Sequence, residues 1–182
     1  MYGPTKITDF RINFAKNASG RILDCAAGQG AFQQYFSSDD IISLDLSTGQ
    51  LKNLKKKKVC ASATLLPFKD NVFDTVWACG LVQYIRESLE AYLSEWIRVT
   101  KHGGKIFVFT PNKISPFNFL CNLLGHKSWD RREGVVRLYA PTELAQFGKV
   151  YGEIWFLPFI KNVTARHPRW AHTEMLEITV KK

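Results

Sequence analysis

Two aspartates and two glycines are the residues of this sequence whose types and spacing best suit ligand chemistry. Asp24 ends a short apolar segment, and Gly28 and Gly30 follow it in a predicted turn. Glycine lets the backbone approach a ligand closely, and the start of a following helix offers free N–H donors. Asp45 ends the next apolar segment, 21 residues after Asp24. Because a carboxylate at such a strand end can accept both hydroxyls of a ribose, the pair predicts a site for an adenosine-containing cofactor.

These residues also have purely structural interpretations. Any tight turn from a strand to a helix favours glycine, and Asp45 precedes Leu46 and Ser47, where it could cap a helix. A dinucleotide site needs a third glycine three residues after Gly30, and Gln33 stands there instead. The sequence therefore disfavours a dinucleotide cofactor.

Alternating strands and helices must position this candidate site. Periodicity predicts strands over 21–25, 41–45, 59–61, 73–78, 105–110, 151–156 and 175–180. Helices are predicted over 5–17, from 32 to 36, and over 52–57, 89–99 and 141–147. The alternation favours an α/β fold, a Rossmann-like doubly wound sheet that is mostly parallel and has helices on both faces. Ligands of such sheets bind beyond the carboxyl ends of the strands.

Composition limits the class of protein. The chain has 182 residues, 46% of them apolar, which predicts a single globular domain. No apolar run approaches a membrane span and no apolar signal core follows the first residues, so we expect a cytoplasmic protein. Cysteine and histidine are too dispersed for a metal site, and none is predicted. The net charge is +9, and residues 101–182 hold 13 basic against 6 acidic groups.

Four ordered motifs carry a family resemblance. They are D-C-A-A-G-Q-G at 24–30, S-A-T-L-L-P-F at 62–68, F-D-T-V at 73–76 and E-W-I-R-V-T-K-H-G-G at 95–104. Together they resemble the class I S-adenosylmethionine-dependent methyltransferases, within them the ubiquinone/menaquinone-biosynthesis type. The resemblance implies a seven-stranded sheet with an antiparallel C-terminal strand, and S-adenosyl-L-methionine as cofactor.

The resemblance also implies roles for individual residues. Asp24 and the 26–30 turn would face the methionine half of the cofactor, and Asp45 would bind its ribose. Leu46 would lie against the adenine, Ser62 and Ala63 at its edge, and the end of the fourth strand below the pocket. The implied cofactor residues are Asp24, Ala26, Gly28, Gly30, Asp45, Leu46, Ser62, Ala63, Ala78 and Cys79.

Three positions depart from the family pattern. Ala26 replaces the first glycine, which a small residue tolerates if its φ stays negative. Ser62 replaces an aspartate and so loses a charge and an acceptor, whereas His102 replaces a proline away from the cofactor. These departures keep open the alternative of a non-catalytic, methyltransferase-like binding subunit.

The acceptor side is predicted from later segments. The domain divides into an N-terminal helix (1–20), a cofactor-binding core (21–112), a substrate lid (113–140) and a C-terminal helix with closing strands (141–182). Tyr84 stands where relatives often carry histidine, and Phe117, Leu120 and Leu124 predict a helix face of the lid that packs on the body. The catalytic candidates are Tyr84 and His126, and the substrate candidates are Tyr84, Asn112, Arg131, Arg132 and Tyr139.

The predicted function is methyl transfer to a small-molecule acceptor. An apolar lid with an arginine rim suits an amphiphilic or anionic acceptor with an oxygen or carbon nucleophile. RNA methylation is the alternative that the basic C-terminal part favours, with a basic and aromatic cluster at Arg166, His167, Arg169 and Trp170. No Asn/Asp-Pro-Pro-Tyr motif is present, which disfavours methylation of a base amine. The sequence does not fix the oligomeric state.

Overall fold

The computed structural model describes residues 7–124, 134–153, 165–166, 171 and 173–181. The helices are α1 (Asp9–Asn17), α2 (Thr48–Leu51), α3 (Leu89–Val99), α4 (Pro116–Leu123) and α5 (Pro141–Leu144), and a 3₁₀ turn covers Val82–Tyr84. The strands are β1 (Ile22–Cys25), β2 (Ile41–Asp45), β3 (Lys57–Cys60), β4 (Phe73–Cys79), β5 (Thr100–Pro111), β6 (Lys149–Glu153), β7 (Ala165–Arg166) and β8 (Thr173–Thr179).

The strands form one sheet in the order β3-β2-β1-β4-β5-β8-β6-β7. β1 pairs in parallel with β2 and β4, and β2 pairs in parallel with β3, which lies at the edge. β6 pairs antiparallel with β7 and β8. The predicted doubly wound α/β fold with antiparallel C-terminal strands is confirmed, and the two-residue β7 is an eighth strand beyond the seven predicted.

The chain divides into two compact units. The core unit comprises 5–79, 87–107 and 179–182, and the second unit comprises 80–86 and 108–178 together with the first four residues. Every residue predicted to bind the cofactor falls in the core unit. Tyr84, Asn112 and the predicted lid fall in the second unit.

An aromatic cluster fixes the core unit around Trp77, which is fully buried in β4. Phe32 and Phe36 pack on it with ring centroids 5.2 and 5.4 Å away. Phe107 of β5 lies 6.0 Å away on another side, and Phe14 of α1 contacts Phe107 at 5.9 Å. Large buried rings contribute strongly to core stability, so this cluster holds the end of β4 firmly.

Two predicted helices are wrong. Over 32–36 the chain forms turns closed by i→i+3 hydrogen bonds, such as the one from the Tyr35 N–H to the Phe32 carbonyl. These turns already place Phe32 and Phe36 against Trp77, so a regular helix is not needed to bury the two rings. The helix predicted over 52–57 instead occupies 48–51, since the Ser47 hydroxyl caps it by accepting from the Gln50 N–H. Residues 57 and 58 already belong to β3.

The other predicted elements differ mainly at their ends. α1 starts at Asp9 because the Thr8 side chain caps it, and α3 matches its predicted bounds. α5 is shorter than predicted and ends at Leu144. The predicted strand 151–156 is β6 over 149–153, and its last three residues lie outside the described part of the chain.

The described part of the apolar face predicted for the lid helix is exposed rather than buried. α4 does form in the predicted lid, but Leu120 and Leu124 are both exposed. The side chain of Phe117 lies outside the described ones. The apolar spacing therefore predicted the helix correctly and its burial wrongly.

Candidate cofactor site

Asp45 is the centre of the candidate site, because its carboxylate joins two loops. Its Oδ2 accepts the Gly28 N–H at 2.9 Å, and its Oδ1 accepts the Ser47 N–H at 2.9 Å. Parallel pairing places Cys25 opposite Leu44 and Asp45 opposite Cys60, so the loops after β1, β2 and β3 emerge at the same edge. Asp45 is not the helix cap considered from sequence, since Ser47 has that role. Its carboxylate is instead presented beside the glycine turn.

Asp24 is a buried carboxyl group that has no hydrogen-bond donor among the described residues. It is 4% exposed on β1, paired with Ser43 of β2. Burial, and secondly the negative charge of Asp45, raises the pKa of Asp24 to about 8. An unpaired buried carboxyl group is costly, so this position favours a cationic or hydrogen-bond-donating ligand.

The turn between these carboxylates has a left-handed backbone at alternate residues. Ala26, Gly28 and Gly30 have φ values of +54°, +52° and +74°. The negative φ under which a small residue would be tolerated at position 26 is therefore not present. Gly28 has open space where a side chain would lie, which suits close approach of a ligand to the backbone. Ala26 adopts the left-handed backbone conformation that suits the glycine of the family motif, and this conformation strains the alanine backbone.

Changing Ala26 to glycine is expected to raise the free energy of unfolding by up to about 1 kcal/mol. Glycine adopts this φ without the clash of a Cβ atom. The matched control is Ala27→Gly, one residue along at a position without positive φ, which should lower the stability by about 0.5–1 kcal/mol. Urea denaturation measures both; a destabilised Ala26→Gly variant would show that no strain is stored at Ala26.

A salt-bridge network fixes the loop that holds Ser62 and Ala63. The Arg98 guanidinium donates to the carbonyl oxygens of Leu66 and Phe68 and pairs with Glu95, whose Oε2 also accepts the Leu66 N–H. The hydrogen bonds from Arg98 hold the pKa of Glu95 below its ordinary value. The E-x-x-R motif therefore positions the 62–68 motif, a role that the sequence did not reveal.

The remaining predicted cofactor residues lie near the same edge. The Ala61 N–H donates to the Asp45 backbone oxygen at 3.2 Å, so Ser62 and the buried Ala63 follow directly beside β2. The Ser62 hydroxyl contacts the Thr64 hydroxyl at 2.8 Å and accepts the Thr64 N–H. Leu46 is exposed after β2. In β4, Ala78 is buried opposite Cys25, and Cys79 is half-buried.

The polar groups of this site suit a ligand that carries an uncharged diol next to a cation. Asp45 offers two acceptor oxygens, Asp24 offers a buried carboxyl group and the turn offers open backbone at Gly28. Within the described residues, no group of three His, Cys, Asp or Glu side chains could hold a metal ion. The arrangement fits the ribose and the ammonium of an amino-acid nucleoside.

Comparison with known proteins finds one matching family model. Residues 23–108 match the family model described as a methyltransferase domain. This match, over just under half of the chain, supports a class I S-adenosylmethionine-dependent methyltransferase. The matched segment contains every residue of the candidate cofactor site.

Curated relatives match about half of this chain and less than half of their own length. An uncharacterized protein of Methanocaldococcus jannaschii is 41% identical over 96 residues, which are 52% of this chain and 42% of that protein. The demethylmenaquinone methyltransferase of Renibacterium salmoninarum is 38% identical over 106 residues, 53% of this chain and 44% of the enzyme. The chain thus spans less than half the length of these relatives.

A solved structure extends the similarity of fold over nearly the whole chain. An S-adenosylmethionine-dependent methyltransferase of Thermotoga maritima superposes with a TM-score of 0.73 at 18% identity, covering 94% of this chain and 90% of the other. At this identity the match supports the fold alone.

The acceptor-side predictions have mixed outcomes in the second unit. Tyr84 is half-buried in the 3₁₀ turn after β4. Asn112 is fully buried, and its amide donates to the Ala171 carbonyl and accepts the Ile114 N–H. These contacts give Asn112 a structural role rather than the predicted exposure to an acceptor.

The other acceptor candidates are buried or lie outside the described residues. Tyr139 is 3% exposed, and the Arg137 guanidinium lies 4.8 Å from its ring centroid. His126, Arg131 and Arg132 lie outside the described residues, as do His167, Arg169 and Trp170, together with the side chain of Arg166. Their roles stay predictions.

Gln83 is a polar residue that sequence reasoning missed. It is 3% exposed, and its side-chain Oε1 has no donor among the described residues. Its backbone oxygen accepts the N–H groups of Val136 and Arg137, which attaches the end of the predicted lid to the turn after β4. Only its place beside Tyr84, after a buried strand, could have suggested it from sequence.

Changing Gln83 to methionine is expected to raise the free energy of unfolding by about 1 kcal/mol. Methionine has a similar size and removes the unpaired buried oxygen, whereas the backbone contacts to residues 136 and 137 stay. Gln83→Glu is the opposing control, because it buries a carboxyl group and should destabilise the protein. Thermal unfolding compares the three proteins, and a clearly destabilised Gln83→Met variant would mean that the amide has a stabilising partner.

Proposed function

We propose that the chain transfers a methyl group from S-adenosylmethionine to an oxygen or carbon atom of a small-molecule acceptor. The observation that carries the proposal is the pair of carboxyl groups around the 26–30 turn. Asp45 is held at the turn by the Gly28 N–H, and Asp24 is buried beside it without a donor among the described residues. One group suits a ribose and the other suits an ammonium.

The chain's own residues would bind and orient the cofactor. Asp45 would accept the ribose hydroxyls while it keeps the Ser47 N–H, and Asp24 would accept from the methionine ammonium. The open face of Gly28 would allow close approach of the methionine part, and Leu46 would cover the adenine. When bound, the cofactor supplies a methyl group already activated on a sulfonium.

Such chemistry requires little of the protein beyond positioning and exclusion of water. A general base is needed only for an acceptor that keeps its proton at neutral pH. Tyr84, in the turn after β4, is the candidate for orienting an acceptor. Arg131 and Arg132 remain candidates for an anionic part of the acceptor, with His126 as a candidate base.

The names of two groups of relatives support a small-molecule acceptor. Several are demethylmenaquinone methyltransferases, and a Hamiltonella defensa relative, 33% identical over 49% of this chain and 37% of its own length, is a malonyl-[acyl-carrier protein] O-methyltransferase. The former name gives a quinone as acceptor and the latter an oxygen. Both fit an amphiphilic or anionic acceptor.

Calorimetry with S-adenosylmethionine and with its demethylated product tests the cofactor part of the proposal. We expect both to bind with one site per chain, and failure of both to bind folded protein would overturn it. Transfer of a radiolabelled methyl group to a short-chain demethylated quinol tests the acceptor part. Cofactor binding without turnover on quinol, thioester or RNA acceptors would favour the non-catalytic alternative, and methylation of RNA alone would replace the small-molecule acceptor.

Changing Ser62 to aspartate is expected to tighten cofactor binding by about tenfold, because a charged acceptor makes a stronger bond with the adenine amino group. The loop accommodates the change, since an aspartate can also accept the Thr64 N–H that Ser62 now accepts. Ser62→Asn is the matched control, with the same shape and no charge. Calorimetry measures the three affinities, and equal values would place the adenine amino group away from residue 62.

A further inference from the structure

An exposed apolar surface surrounds α4 in the second unit. Five large side chains of the segment 114–124 are between 47% and 73% exposed. The members of this surface, here named the α4 patch, are Ile114, Phe119, Leu120, Leu123 and Leu124. Residues 119, 120, 123 and 124 are spaced so that they share one face of the helix. Contiguous exposed apolar side chains of this kind mark an interaction surface.

The exposed charges among the described side chains of the second unit are basic. Among the described side chains of the second unit, the exposed charged residues are Arg86, Lys113, Arg137 and Lys149. The acidic ones are half-buried or buried, and they are Glu143, Glu153 and Glu177. Lys113 directly precedes the patch, and its N–H donates to the Tyr139 carbonyl, which brings the segment of Arg137 beside it. Arg137 is more than half exposed although it pairs with Glu143 at 3.0 Å.

We propose that the α4 patch docks on an anionic lipid surface, with the helix lying in the interface and the basic side chains at the headgroups. Amphipathic helices with an apolar face and neighbouring lysine or arginine bind such surfaces. A second copy of the chain is a poorer occupant, because a symmetric contact would bring the basic side chains of the two copies together. An anionic bilayer supplies both an apolar layer and the complementary charge.

Vesicle co-flotation of the intact chain tests this assignment without any methyl acceptor, so its outcome is separate from that of the methyl-transfer assay. We expect binding to vesicles that contain phosphatidylglycerol to exceed binding to phosphatidylcholine vesicles by about tenfold or more, and to weaken as salt rises. The double variant Phe119→Gln/Leu123→Gln should lose about tenfold or more of this binding. Lys113→Gln should lose several-fold.

Matched controls lie on exposed positions of the core unit. Ile97→Gln on α3 removes an exposed apolar side chain, and Lys52→Gln removes an exposed charge, and neither should affect vesicle binding. Unchanged cofactor affinity in every variant verifies folding. Absent binding, equal binding to neutral vesicles, or binding that the double variant retains would overturn the assignment. So would a concentration-dependent dimer that the double variant abolishes, or affinity for RNA that the double variant abolishes.

Discussion

The Asp45→Ala variant is expected to bind S-adenosylmethionine at least about a hundredfold more weakly than the unchanged chain. Hydrogen bonds to a charged acceptor contribute about 1.5–3 kcal/mol each, and a ribose would lose two of them. The change also removes the contacts that Asp45 makes with the N–H groups of Gly28 and Ser47. Calorimetric titration of the cofactor measures the loss directly.

Two further variants separate binding from loop geometry. Asp45→Asn keeps an oxygen acceptor for one of the loops but loses the charge, so most of the affinity should still be lost. Asp39→Ala removes an exposed carboxylate that pairs with Lys56 and should leave the affinity unchanged. An Asp45→Ala variant with undiminished affinity would show that the ribose lies elsewhere.

Cofactor binding at about neutral pH is expected to release up to one proton from Asp24. In the free protein, burial and the charge of Asp45 raise the pKa of Asp24 to about 8, so the carboxyl group holds a proton at neutral pH. A bound ammonium would favour the carboxylate and lower this pKa. Affinity should therefore increase as the pH rises towards 8, to the extent that the ligand itself stays protonated.

Calorimetry in buffers of different ionisation heat counts the released proton. Asp24→Asn is the matched variant, because it keeps the shape and removes the titration, so the difference between the two proteins belongs to Asp24. We expect this variant to release less proton and to bind the cofactor about tenfold or more weakly. Identical proton release in both proteins would contradict the assignment of the ammonium to Asp24.

The same titration predicts the stability of the ligand-free protein. The folded pKa of Asp24 lies above its unfolded value of 3.8, so the folded state retains a proton that the unfolded chain loses. The contribution of this group to stability is complete below that value and declines as the pH rises to about 8. In urea titrations between pH 3.8 and about 8, the free energy of unfolding of the Asp24→Asn variant should fall less steeply with pH than that of the unchanged protein.

Much of the fold follows from local sequence patterns. Short apolar runs that end in Asp24 and Asp45 predict buried parallel strands, and β1 and β2 match them because both of these strands lie inside the sheet. α3 matches its predicted bounds because its N-terminal cap, its apolar face and its C-terminal end all indicate the same range of residues. The prediction of a helix over 32–36 is wrong because the spacing of the two phenylalanines indicates only that they are buried, here against Trp77. It does not indicate the backbone hydrogen bonds of a helix.

The site is less predictable because it depends on contacts between distant segments. The residue types of Asp24 and Asp45 indicate a ligand, but only the folded chain places the Gly28 N–H on Asp45. Conversely, Asn112 has the residue type of a substrate contact and instead holds backbone groups of Ala171 and Ile114. The positive φ of Ala26 is also invisible to a prediction that treats alanine by its usual preference.

The edge strand β3 has a consequence for how this protein coexists with its neighbours in solution. An edge strand exposes unpaired backbone groups that can recruit a strand of another molecule. Lys57 and Lys58 are exposed on β3, at the end of a run of four consecutive lysines. Two copies brought together along β3 would align these like charges at close range, and desolvating the ammonium groups would oppose strand pairing. The lysine run thereby protects the sheet from edge-to-edge aggregation.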